Sequence, residues 1–193
     1  MTLKRIVILD GPDGVGKSTL ARRLQREKVA RRIKHLSRLP PEWTIYDYEK
    51  ILKSGSLILD RFHYSEPIYC AATGRRPCWG PDDVEIINRW LRQYETFTII
   101  ITAESNRLLK KRCGKREEMY SLDTIYNVND LFTRMVDSGK VNVPGMGEYE
   151  NLHFDFHITA EELSTNFGKR EIVRALKESS DDYTDWYKGP LDD

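Results

Sequence analysis

The stretch Arg5-Ile-Val-Ile-Leu9-Asp10-Gly11-Pro12-Asp13-Gly14-Val15-Gly16-Lys17-Ser18-Thr19-Leu20 decides the fold. Its first half is β-branched and apolar without alternation, the pattern of a strand buried on both faces of a parallel sheet. Its second half fits G-x-x-x-x-G-K-[ST]. Glycines let such a turn aim successive backbone N–H groups inward as an anion nest, and the helix that starts at its end adds a positive pole. Gly11, Asp13, Gly14, Val15, Gly16, Lys17, Ser18 and Thr19 are therefore expected around the phosphates of a nucleoside triphosphate. Lys17 should reach the β- and γ-phosphates, and the Ser18 hydroxyl should ligate Mg²⁺.

Outward from this stretch, strands and helices alternate. A helix is expected over about 17–30, with Leu20, Leu24 and Val29 as its apolar positions. Weaker strand character follows at 33–36, and Pro40-Pro41 breaks the chain. The pattern predicts a helix over 45–53, a strand at 57–60 and a helix over 65–72. A helix opened by Pro81 should run to about 95, followed by a strand at 97–101. Helices over 104–112 and 122–136 lead to a fifth strand at 153–158, and Thr159-Ala-Glu-Glu162 has the form of a capping box. This order predicts an α/β fold, a five-stranded parallel sheet with helices on both faces. Ligands of such sheets bind beyond the carboxyl ends of the strands.

The second informative segment, Asp60-Arg61-Phe62-His63-Tyr64-Ser65, starts at such an end. A carboxylate there can hold Mg²⁺ or take a proton from a hydroxyl, and Arg61 can fork onto a phosphate. The alternative is a structural ion pair at a strand end.

The whole chain sets outer bounds. Its 193 residues, 39% hydrophobic and 32% charged, suit one globular domain. No apolar run approaches the ~20 residues of a membrane span, and the first residues lack a leader's pattern. Cys70, Cys78 and Cys113 show no paired spacing. A cytoplasmic setting with free thiols is expected. Residues 1–80 hold 16 Lys/Arg against 8 Asp/Glu, and residues 81–193 hold 15 against 22. Positive charge near the phosphate loop suits a phosphate-rich ligand, although a solvated helix face gives the same count. One exposed stripe from Arg22 to Lys34 could also carry a nucleic-acid backbone. His153, Asp155 and His157 alternate, which reads either as a metal site or as the polar face of a strand.

Leu9 to Leu20 followed by Asp60-Arg-Phe-His-Tyr-Ser-Glu-Pro-Ile-Tyr69 resembles the thymidylate kinase family, especially its compact viral-type members. The resemblance implies a P-loop kinase fold over residues 1–177, with a short lid at about 107–120 and an acidic tail, loosely ordered, over 178–193. It implies transfer of the ATP γ-phosphoryl group to a deoxynucleoside monophosphate, dTMP first, with Mg²⁺. Catalysis would fall to Lys17, Asp60, Arg61 and the lid arginines Arg112 and Arg116. Ser18 and Asp60 would serve the metal, and Arg38, Arg61, Phe62, Tyr69 and one of Arg75 and Arg76 would bind the acceptor. Homodimerisation follows by family analogy alone. The family's Glu-Pro-Gly after the second strand is replaced by His35-Leu-Ser-Arg38-Leu-Pro-Pro-Glu-Trp43, and the lid lacks an Asp-Arg-x-Glu. These departures leave room for other acceptors: 5-hydroxymethyluracil within DNA, or a free deoxynucleoside. A nucleotide-binding module without transfer is the remaining reading, opposed by an intact Lys17, Ser18 and Asp60.

Overall fold

Arg5–Asp10, the apolar run before the phosphate loop, is the central strand of the sheet and is named β1. In the computed structural model, α1 (Lys17–Arg26), β2 (Arg32–His35), α2 (Ile45–Lys53), β3 (Leu57–Asp60), α3 (Ser65–Thr73), α4 (Pro81–Leu91) and β4 (Glu95–Thr102) follow. The second half holds α5 (Asn106–Cys113), α6 (Leu122–Ser138), β5 (Val141–Val143), β6 (Gly147–Tyr149), β7 (Phe156–Thr159), α7 (Ala160–Ser164) and α8 (Asn166–Trp186). The structure describes residues 4–36, 40, 42–114, 120–144, 147–150 and 152–186, with backbone alone from 180.

Five strands form one parallel sheet in the order β2-β3-β1-β4-β7. The sheet is covered on both faces, as its unalternating apolar strands require. Ile6, Ile8, Leu57 and Leu59 point into a layer with Tyr48, Phe62, Ile87 and Phe132 from α2, α4, α6 and the segment after β3. Val7, Leu9, Ile58 and Ile99 point the other way, onto Leu20, Leu24, Leu109 and Leu163 from α1, α5 and α7. Burying β1, β3 and β4 on both faces leaves their carboxyl ends as the place where polar groups can gather. Leu9 and Asp60 are partners in register, so the two motif segments leave adjacent strands side by side.

Several boundaries differ from expectation. The first helix stops at Arg26 because Lys28 turns to a φ of 60° and Val29 N–H bonds back to the Leu24 carbonyl, 3.0 Å away. Apolar spacing alone could not show that turn. The helix opened by Pro81 ends at Leu91, and β4 begins at Glu95, whose carboxylate pairs with Arg5 at the start of the neighbouring strand β1. An antiparallel hairpin, β5 with β6, was not foreseen, since three-residue strands carry too little periodicity. Its Tyr149 hydroxyl donates to the Trp79 carbonyl at 2.8 Å.

The last strand starts at Phe156. Asp155 lies before it, its carboxylate accepting the Thr98 amide at 2.6 Å, and His157 bonds Thr102 through Nε2 at 2.8 Å. Of the His153-Asp155-His157 set, only His157 is in the strand. No group of three metal-binding side chains occurs among the described residues. From Glu178 the chain is helical through Trp186, where a loosely ordered tail was expected. No described helix is long and apolar enough to cross a membrane.

Candidate active site

The turn after β1 is folded tightly against its surroundings. Gly11 has a φ of 144°, and a Cβ there would stand 2.0 Å from the Ile101 carbonyl oxygen of β4. Only glycine fits so close an approach. Gly14, at a φ of 80°, faces the Cys113 sulfur of α5 at 2.4 Å from an imagined Cβ. The loop is thus clamped between the central sheet and α5. The helix that follows has neither a side-chain cap nor an acidic residue in its first turn. Its positive end is left for an anion. Lys17 is buried, and its Nζ donates to the carbonyls of Gly11 at 2.8 Å and Pro12 at 2.6 Å. Burial and the nearby Arg61 lower its pKa, against the opposing pull of Asp13, Asp60 and Asp10.

Asp60 ends β3 directly beneath this loop. Ser18 Oγ donates to its Oδ2 at 2.6 Å, joining the two residues read as metal ligands. His35 Nδ1 meets the same oxygen at 2.9 Å. Arg61 adopts a φ of 71°, a left-handed conformation unusual for a side chain this large. Its amide donates to the Leu9 carbonyl at 2.9 Å, which turns the side chain toward the phosphate loop. There its guanidinium pairs with Asp13 and lies over the Tyr69 ring, 4.7 Å from the centroid. Burial disfavours the charged guanidinium, but Tyr69, Asp13 and Asp60 outweigh it, and its pKa lies above the ordinary value. Asp13 shifts the other way: Lys17 and Arg61 overcome its burial and lower its pKa.

Two residues outside the expected set belong to this arrangement. Asp10 is fully buried, and its Oδ1 accepts the Phe62 amide at 2.9 Å and the Ser65 hydroxyl. Its Oδ2 has no partner, and burial raises its pKa despite those bonds. Its position between strand and loop was the available signal. His35 is the other; only the pairing of β2 with β3 brings it to Asp60.

Most of these groups, though not the buried Asp10, line one cavity of about 790 Å³, within the range of ligand sites. Asp13, Gly14, Val15, Gly16, Lys17, Ser18, Thr19, Asp60, Arg61 and Arg112 all face it. Arg22, Lys111 and Lys169 join them, giving six cationic side chains against the two carboxylates of Asp13 and Asp60. Such an imbalance suits a polyanion. Arg112 bridges the wall, donating to the Gly14 carbonyl at 3.0 Å and to that of Ala160 at 3.5 Å.

Of the expected acceptor groups, Arg61 lines this cavity, and Phe62, Tyr69, Arg75 and Arg76 do not. Tyr69 is buried against Arg61, and the Tyr120 ring lies beside it, tilted by 44° at 5.2 Å between centroids. Arg75 lies 3.7 Å from the buried Glu66 carboxylate, with its Nε unpartnered. Arg76 is exposed. Phe62 does not face the cavity; it is 1% exposed and packs edge-on against Tyr48, 4.5 Å between centroids. Arg38 and Arg116 lie outside the described residues.

Solved structures share this architecture. The YorR protein of Bacillus subtilis, solved with phosphorylated GDP, is 19% identical over 89% of this chain and 95% of its own, with a TM-score of 0.67. The fold is that of the P-loop kinases. Deoxyadenosine kinase of M. mycoides with bound dATP matches at 14% identity over 89% of this chain and 99% of that one, TM-score 0.56. Thymidylate kinase of Candida albicans matches at 16% identity over 91% and 93%, TM-score 0.54. Thymidylate kinase is thus one of several kinases of nucleosides and nucleotides with this architecture. No protein-family model and no curated protein matches the chain.

Proposed function

We propose that this protein is an ATP-dependent nucleotide kinase that phosphorylates a deoxynucleoside monophosphate, with dTMP as the first acceptor to test. One observation carries the reading: the Asp60-Arg61 pair meets the phosphate loop at Ser18 and Asp13 in a single cation-rich cavity. A loop that merely held phosphates would not need that pair.

The residues fit a metal nucleotide. Ser18 and Asp60 offer a hydroxyl and a carboxylate 2.6 Å apart, hard oxygen donors of the kind Mg²⁺ takes. Mg²⁺ supplies charge neutralisation across the β- and γ-phosphates. Lys17 binds the same phosphates by moving its Nζ from the loop carbonyls. Arg61 is oriented by Asp13 and Tyr69 and offers forked donors to the transferring group. Arg112 reaches the loop from α5, whose Leu109 and Cys113 are packed in the core, and Arg116, outside the described residues, is the second arginine we assign. A phosphate acceptor arrives ionised, so catalysis is positioning and charge stabilisation without a strong base. On the acceptor side Tyr69 and Arg75 are the contacts we assign. The unbridged thiols of Cys70, Cys78 and Cys113 suit a cytoplasmic enzyme, and the viral-type resemblance would put it in the host cell.

A hydroxyl acceptor is the second reading. Deoxyadenosine kinase fits the fold as well as thymidylate kinase does, with TM-scores of 0.56 and 0.54. In this reading Asp60, which faces the cavity, is the carboxylate that takes the proton from the acceptor hydroxyl.

Incubation with γ-labelled ATP and separate acceptors tests both: dTMP, other deoxynucleoside monophosphates, deoxynucleosides, and DNA with and without 5-hydroxymethyluracil. Label on a monophosphate is expected. Label confined to nucleosides or to DNA would overturn the monophosphate reading, and ATP binding without transfer would leave only a nucleotide-binding module.

A further inference from the structure

We propose that His35 is a positioning residue for Asp60, a role that rests on the kinase reading of the site. His35 is the last residue of β2 and Asp60 the last of β3, and they are partners in register. Immediately after, Leu36 N–H bonds the Asp60 carbonyl at 2.9 Å, and the Leu36 side chain is buried. The backbone that carries the imidazole is thereby fixed on the strand that carries the carboxylate.

The contact itself is directional. A carboxylate only accepts, so Nδ1 carries the hydrogen and donates to Oδ2 at 2.9 Å. Ser18 Oγ donates to the same oxygen from the other side at 2.6 Å. These two donors hold Oδ2. When Ser18 turns its hydroxyl toward a metal, His35 is the donor that keeps the carboxylate in place. The imidazole also borders the cavity, yet its side chain is 59% exposed. An exposed ring contributes little to the core, so its bond to a carboxylate 7% exposed serves the site more than the fold. Outer partners that orient metal-binding carboxylates commonly govern metal affinity by an order of magnitude or more.

The test compares His35→Ala, His35→Phe and His35→Asn with the wild type. Phenylalanine keeps the ring without a donor. Asparagine carries its amide nitrogen where Nδ1 stands and restores the bond. ATP affinity is measured by calorimetry with Mg²⁺ and with EDTA, alongside kcat and the acceptor KM. Alanine and phenylalanine should lower the Mg²⁺-dependent gain in ATP affinity about tenfold, leaving affinity in EDTA unchanged. They should lower kcat with the acceptor KM unchanged, while asparagine restores both. The assignment is overturned if alanine and phenylalanine keep the wild-type gain, or if asparagine falls as far as alanine. A wild type that binds ATP without any Mg²⁺-dependent gain also overturns it while leaving the nucleotide site intact. A wild type that binds no ATP overturns the kinase reading itself.

Discussion

The two sides of the sheet's carboxyl edge are built differently. The proposed donor side is built on one continuous stretch, the loop and helix start from Gly11 to Thr19, which Asp60, Arg61, Arg112 and Lys169 join from other elements. Its contacts are largely backbone, polar and fixed by steric need, as at Gly11 against Ile101. The proposed acceptor side has no such continuous stretch: Tyr69 of α3 lies against Tyr120 before α6, and Arg75 pairs with the buried Glu66. In the proposed function the first construction would recognise phosphate, which every nucleotide shares, and the second would surround whatever differs between acceptors.

This contrast can be broken most directly at Lys17. Lys17→Ala should reduce transfer by about 10³-fold whichever acceptor is used, since it removes a charge aimed at the phosphates common to all. Steady-state rates with two unlike acceptors check it, and unequal losses would mean that the sides are not separable.

A smaller effect is expected in the core behind the Asp60-Arg61 pair. His63 is fully buried, its Nε2 bonded to Asn88 at 2.8 Å, and burial pushes its pKa down to about 3. The folded value lies below the unfolded one, so its contribution to stability is complete above the unfolded pKa of about 6.5 and is lost as the pH falls toward 3. Wild type should lose roughly 2 kcal/mol between pH 7 and pH 5 through this group. His63→Gln should be less stable at pH 7 but flatter in pH by that amount. Urea unfolding at the two pH values measures the difference.

The smallest effect separates the adjacent arginines. Arg75→Ala should raise the acceptor KM about tenfold with ATP affinity unchanged, the loss of one charge-assisted contact. The exposed Arg76, changed to alanine, should stay near wild type. A reversed order would move the acceptor contact to the surface.

The phosphate loop was legible because its chemistry is local: glycine spacing, a lysine and a hydroxyl between a buried strand and a helix. Asp60 was legible because it ends an apolar run. Adjacency to Arg61, which suggested Phe62 as an acceptor contact, says nothing about direction. The φ of 71° at Arg61 sends that side chain to the loop, while Phe62 goes into the core. Sequence alone offered Arg75 and Arg76 as equals; burial beside Glu66 distinguishes them.

By itself, then, the sequence determined a parallel sheet with a phosphate loop at the end of its first strand, because backbone sterics and apolar patterning act over a few residues. Only tertiary structure decided that Ser18, His35 and Asp60 share one oxygen, that Arg61 faces Asp13, and that Arg112 closes the wall. Those meetings depend on strand order and register, which join residues as much as 98 positions apart and leave no local trace in the chain.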